Sequence, residues 1–196
     1  QAREQVPGSL YSYVDVPGAS LADWLAQHVR AGQTIGYDAW LHGEQWVAAM
    51  KKALAATGAT LAPVTANPID AVWKERPQPS AAVATVQSEA LAGQSSADKR
   101  ARMADWLKAQ ALDAAVITAL DSIAWTFNIR GADVSRTPVA LAFTLIHADG
   151  TAELFIDDEK LTPAVQAHLG NAVRTAPRHA FADALDRLAG KRVAVD

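Results

Sequence analysis

Residues 114–133 read AAVITALDSIAWTFNIRGAD, and the fold is decided by how this stretch is read. Positions 114–118 form a short, uninterrupted apolar run that closes on β-branched residues, the pattern of a strand buried on both faces. Positions 121–127 follow as a short helix, so strand gives way to helix within a few residues, as in a layered α/β domain. Upstream, Ser95 or Ser96 caps a helix that runs to about Gln110, with Asp98 near its positive end and Met103, Trp106 and Leu107 facing inward. Downstream, 138–147 is a long apolar strand, Asp149-Gly150 a hairpin turn, and 152–156 an antiparallel return. A helix over 163–169, a strand at 172–174, a helix over 180–188 and a last strand within 191–196 complete a mixed sheet flanked by helices.

The first part of the chain repeats the helix–strand alternation. Ser20 caps a helix over 20–30, Asp23 completes its capping box, and Leu21, Trp24, Leu25 and Val29 line one face before Gly32 stops it. A strand at 34–38 follows. The helix over 44–57 then carries Trp46, Val47, Met50 and Leu54 on one side, and a strand at 60–64 comes next. Asn67 caps a short helix with Pro68 in its first turn, and that helix ends by Arg76-Pro77. Residues 77–94 are poor in large apolar side chains and contain Pro77 and Pro79, so they read as an extended linker between two related α/β units.

The chain has 196 residues, half of them apolar and a fifth charged, with a formal net charge of −3. That balance belongs to a globular protein rather than a disordered one. The absence of any basic tract argues against nucleic acid or a membrane surface as partner. No run approaches the ~20 apolar residues that span a bilayer. With no cysteine, the chain has no disulfide, no thiolate zinc site and no cysteine nucleophile, which fits a reducing cytoplasm. Gln1 stands where an initiator Met would, and 191–196 reads as a strand just begun. The expectation is therefore a piece cut at both ends.

Local chemistry is sparse. His28, His42, His147, His168 and His179 form no H-x-x-x-H pair and no cluster with metal-ligand spacing. Asp157-Asp158 follows a strand and reads as a cap of the turn through Lys160-Leu161. No nucleophile elbow or phosphate-binding glycine loop occurs, so no catalytic residue is assigned. One segment stands out: Trp125, Phe127, Asn128, Arg130 and Asp133 crowd into a short helix and the turn after it. Trp and Arg beside a polar Asn are the residue types that anchor interfaces and shape pockets. Equally, Trp125 and Phe127 can fill the core while Arg130 pairs with Asp133 at the surface.

At this segment the chain resembles the non-catalytic N-terminal part of the three-domain Xaa-Pro aminopeptidases, the aminopeptidase P branch of the creatinase-like metallopeptidases. Residues 118–133 resemble the family's T-A-L-D-x-I-A-W-x-F-N-x-R-G-x-D run, and the likeness extends to 138–143 and to the turn at 155–161. Residues 35–41 are similar to its G-x-D-P-W-L element, with Ala39 in place of the usual proline. Residues 67–77 resemble its N-x-[IV]-D-x-x-W-x-x-R-P element.

The resemblance implies two ribonuclease H-like domains: 1–76 as the C-terminal half of the first, 77–94 as linker, and 95–196 as a second domain incomplete at its C-terminus. It also implies a missing pita-bread catalytic domain holding two manganese ions, and hence no cofactor in these residues. The parent would be a cytoplasmic homodimer that removes the first residue from peptides with proline second. This portion would serve dimerisation and wall the active-site entrance. Trp125, Asn128 and Arg130 are the residues the resemblance implies for substrate-pocket or dimer contact. Some creatinase-fold proteins have lost their metal ligands and act as interaction modules, as in histone-chaperone subunits, so a non-enzymatic binding role is the alternative. A free-standing ligand-binding protein is a third.

Overall fold

The computed structural model describes residues 2–16 and 18–196. The chain divides into two units, Gln1–Pro77 and Gln78–Asp196. The first unit contains helices α1 (Ala2–Gln5), α2 (Leu21–His28), α3 (Glu44–Ala55) and α4 (Pro68–Val72), and strands β1 (Thr34–Tyr37) and β2 (Thr60–Pro63). Ser20 and Asn67 act as caps by accepting hydrogen bonds from the N–H groups of Asp23 and Ile69. The strands pair in parallel, Thr34 opposite Thr60, as a β–α–β connection through α3 requires. Met50, Leu54 and Ala59 are buried there, with Leu25, Val29, Ile35, Trp46 and Leu61 packed around them. The expected inner face of α2 is narrower than its sequence suggests. Leu25 and Val29 pack inward, whereas Leu21 and Trp24 are exposed and the Trp24 ring stacks on His28 at 4.1 Å.

The second unit is built on a five-stranded mixed sheet. Its elements in chain order are β3 (Thr85–Val86), α5 (Glu89–Ala92), α6 (Ser96–Ala109), β4 (Ala114–Ile117), α7 (Leu120–Phe127), β5 (Ile129–Arg130), β6 (Phe143–His147), β7 (Ala152–Phe155), α8 (Pro163–Leu169), β8 (Val173–Ala176), α9 (Phe181–Asp186) and β9 (Val193–Val195). The sheet order is β8-β7-β6-β4-β9. The Asp149-Gly150 turn makes β6 and β7 antiparallel, β4 and β6 are also antiparallel, and β4 runs parallel to β9. Every residue of β4 is buried, as a central strand covered on both faces demands. Leu107, Ile123, Phe127, Ile146, Leu154 and Val165 lead the core on one face of the sheet, and Phe155, Phe181 and Ala184 that on the other.

Three expectations need adjusting. The strand expected from 138 begins only at Phe143. The residues before it wrap around the 131–133 turn instead, with the N–H groups of Gly131 and Asp133 donating to the carbonyls of Pro138 and Val139. Trp106 is exposed rather than inward. The inner stripe of α6 is Lys99, Arg100, Ala104 and Leu107, and two cations occupy positions that an apolar pattern would leave to solvent. The segment read as a linker is structured: Ala84 is fully buried and its N–H donates to Lys160 O, and β3 pairs antiparallel with β5. Apart from Ala84 its side chains are exposed or half-buried, so it lacks the large buried apolar residues by which a core segment is recognised.

Candidate functional site

Helix α7 shapes the site from both ends. Its N-cap, Ala119, has no hydrogen-bonding side chain, and the Asp196 carboxylate takes that role from the end of the neighbouring strand. It accepts from the N–H groups of Thr118 and Ala119 and from the Thr118 hydroxyl at 2.7–3.0 Å. At the other end Asn128 sits in the left-handed region, φ 50°, and its N–H closes the helix on the carbonyls of Ala124 and Trp125. Asn tolerates that conformation better than most residues with a Cβ. Its side chain is buried with both polar atoms engaged: Oδ1 accepts from Lys99 Nζ at 2.5 Å, and Nδ2 donates to Gln94 O at 2.8 Å.

Lys99 is the residue that sequence reasoning missed. It is 1% exposed and reaches from α6 to the end of α7. There Nζ donates to Trp125 O at 2.8 Å and lies 4.3 Å from the Trp125 ring centroid, a cation–π geometry. Burial, and then the neighbouring Arg130 charge, hold its ammonium below the usual lysine range. No carboxylate pairs with it among the described residues. The sequence carried one faint signal, a lysine four residues after the capping Ser95 and in phase with Met103 and Leu107.

Trp125 is therefore gripped at its carbonyl and over its ring while its indole stays 47% exposed. It lines an open groove of about 640 Å³ with Met103, Ile117, Ser122, Thr126, Asp121 and Asp196. Phe127 is fully buried, so the two aromatics of the segment divide between groove and core. Arg130 is half-buried, and its Nη1 donates to Ala124 O in the last turn of α7 and to Ile129 O just beyond it, at 3.0 and 2.8 Å. The surface pair Arg130–Asp133 does not form. Asp133 is instead completely buried against Lys160 Nζ at 2.6 Å. Trp125, Asn128 and Arg130 thus meet at one helix terminus, but only Trp125 faces the groove.

The groove offers an apolar floor, one aromatic face and two carboxylates, Asp121 and Asp196, at its rim. Such a surface can bind and orient an apolar group; it pairs no nucleophile with a base among the described residues. Among the described residues, no group of three or more His, Asp or Glu could hold a metal ion. Asp157 stands at the N-cap of the single turn Asp158–Lys160 without a side-chain capping bond. No helix among the described residues is long and apolar enough to cross a membrane.

A family model described as the Creatinase/Prolidase N-terminal domain matches residues 75–196. Similar curated proteins are named probable Xaa-Pro aminopeptidase P. Those of Neosartorya fischeri and Penicillium rubens are 35% identical to the chain over 164 residues, and that of Aspergillus clavatus is 36% identical. Each alignment covers 83% of this chain, but only 25%, 27% and 25% of the respective relative, so the chain spans about a quarter of their length. Among solved structures, an X-prolyl aminopeptidase from Caenorhabditis elegans, described as a cytosolic enzyme with a di-nuclear active site, superposes with a TM-score of 0.79. It is 26% identical, and the match covers 90% of this chain and 29% of that one. The chain belongs to the creatinase/prolidase N-terminal domain family, and it corresponds to the N-terminal part of its Xaa-Pro aminopeptidase relatives.

Proposed function

We propose that this chain is the non-catalytic N-terminal portion of a cytoplasmic, metal-dependent Xaa-Pro aminopeptidase that removes the first residue from peptides with proline second. In this reading residues 1–76 are the latter half of a first domain and 95–196 most of a second. The paired manganese ions reside in a catalytic domain elsewhere in the parent. This portion contributes to dimerisation and walls the active-site entrance. The observation that carries the walling role is the fixed, half-exposed indole of Trp125. A rigid aromatic surface over an apolar groove suits the flat ring of proline or the side chain beside it, and it costs little conformational entropy on binding. Asn128 and Arg130 serve it by holding the end of α7 rather than by touching the peptide.

The test is peptidase turnover by the full-length parent with Mn²⁺, read as a split between KM and kcat. Trp125→Ala should raise KM about tenfold, the worth of one well-packed aromatic contact, and leave kcat within twofold. The 196 residues alone should turn over no Xaa-Pro peptide. An unchanged KM in Trp125→Ala refutes the walling role. An inactive full-length parent with normal metal content refutes the peptidase reading and leaves the interaction module. Sedimentation of the parent as a monomer refutes the dimer.

A further inference from the structure

A second groove, of about 440 Å³, opens at the start of α6, away from Trp125. Its wall includes Ser95, Ser96, Ala97 and Arg100 of α6, His168 of α8 and Glu89 of α5. Helix α6 is fourteen residues long, so its first turn presents amide N–H groups that have no acceptor within the helix. Ser95 Oγ takes one of them, from Asp98, and the rest of the turn borders the groove.

Two side chains there are buried without the partners they require. Ser96 is 7% exposed, and its hydroxyl makes no hydrogen bond. Arg100 is 6% exposed. One Nη1 bond to Gly150 O at 2.8 Å anchors its guanidinium, while its Nε is buried with no acceptor. No carboxylate pairs with Arg100 among the described residues. Burial disfavours its charge, yet a guanidinium stays protonated at any pH the fold survives, so the cost of a buried, uncompensated cation stands. Lys99, adjacent in sequence, adds a second buried cation without a carboxylate. Acidic groups nearby are Glu89, exposed on the groove wall, and Asp98, whose Oδ2 accepts from Ser95 Oγ. His168 Nε2 is 2.9 Å from Phe127 O and so is already engaged.

We infer that this groove binds a small oxyanion, a phosphate or carboxylate group, through Arg100, the Ser96 hydroxyl and the free amides of the first turn of α6. Such an anion gives the Arg100 guanidinium a counter-charge, offers the Ser96 hydroxyl an acceptor once that side chain rotates toward the groove, and lies at the positive end of the helix dipole. The same chemistry can come from a free anion in solution or from a carboxylate elsewhere in the parent chain.

The test titrates inorganic phosphate into the 196-residue chain and into the full-length parent at constant ionic strength, against chloride. Binding is read by phosphorus NMR line broadening and by melting temperature. Saturable binding should raise the melting temperature by about 5–10 °C at a hundredfold excess over Kd. Acetate should compete. Ser96→Ala should weaken binding about tenfold with unchanged circular dichroism, and Arg100→Met should abolish it. Should Arg100→Met fail to fold, Glu89→Gln decides with the opposite sign: removal of an exposed anion from the wall should tighten binding. Binding by the 196 residues but not by the parent identifies a carboxylate of the parent as the occupant, and binding by both identifies a free anion. No saturable binding to either protein, or equal binding by wild type and Ser96→Ala, overturns the inference.

Discussion

Replacing Lys160 by Met tests the deepest electrostatic contact in the fold. Lys160 Nζ lies 2.6 Å from Asp133 Oδ2, and both side chains are 0% exposed. The next carboxylate, Asp157, is 3.9 Å away. Once the ammonium is gone, Asp133 keeps the bond that Oδ2 accepts from Leu141 N–H at 2.7 Å and the nearby Ser80 hydroxyl, neither of which carries a charge. An unpaired carboxylate at such a site costs about 3–5 kcal/mol, a large share of a typical domain's total stability. In the wild type, burial pushes the Asp133 carboxyl up, but the hydrogen bonds from Lys160, Leu141 and Ser80, with the Lys160 charge, outweigh it and hold the group below its ordinary value. Because the folded value is the lower one, Asp133 stabilises the protein above an unfolded pKa of about 3.9. That contribution is lost as the pH falls through the folded value. In Lys160→Met, burial prevails and the sign reverses, so the deficit should shrink on acidification from pH 7 toward 4. Urea unfolding followed by circular dichroism at several pH values measures both effects. A loss below about 1 kcal/mol at pH 7, the range of solvated surface pairs, or a deficit that grows in acid, refutes the reasoning.

Two further substitutions probe the turn that carries the site. Gly131→Ala places a Cβ 2.6 Å from Ala140 N and 2.7 Å from Ala140 Cα, both backbone atoms that cannot rotate away. It should cost about 1–3 kcal/mol or more in the same unfolding assay, and a neutral result would show that the 138–142 segment shifts freely. Asn128→Ala should cost about 1–2 kcal/mol for the left-handed backbone alone. It should also release Lys99, seen as a red-shifted Trp125 fluorescence that Asn128→Gly reproduces with less loss of stability.

Much of the fold was legible because its signals are local. The caps at Ser20, Asn67 and Ser95, the hairpin at Asp149-Gly150 and the apolar run at 114–117 each depend on a few adjacent residues. Most helices and strands follow from these with shifts of only a few positions; β3, α5 and β5, in stretches read as linker and turn, do not. The segment 118–133 also marked the place where the candidate site would form, because Trp, Asn and Arg are crowded together there. Of the core alternative only Phe127 holds: Trp125 is half-exposed and Asp133 pairs with Lys160 rather than Arg130.

Tertiary structure decided the rest, and at Lys99, Arg100, Asp133 and Lys160 it reversed what side-chain chemistry suggests. A charged residue reads as solvent-facing until a distant segment supplies its partner: Asn128 is 29 positions from Lys99, and Lys160 is 27 from Asp133. Asp196 capping α7 from 78 positions beyond Thr118 is the same effect at a helix end. By itself the sequence determined the order of elements, the family and the neighbourhood of the site, since period, capping and motif are written along the chain. Which side of α6 is inside, which aromatic faces the groove and which charge meets which were settled only when the sheet closed. Burial and pairing depend on residues far apart in sequence, and no local pattern encodes their distance in space.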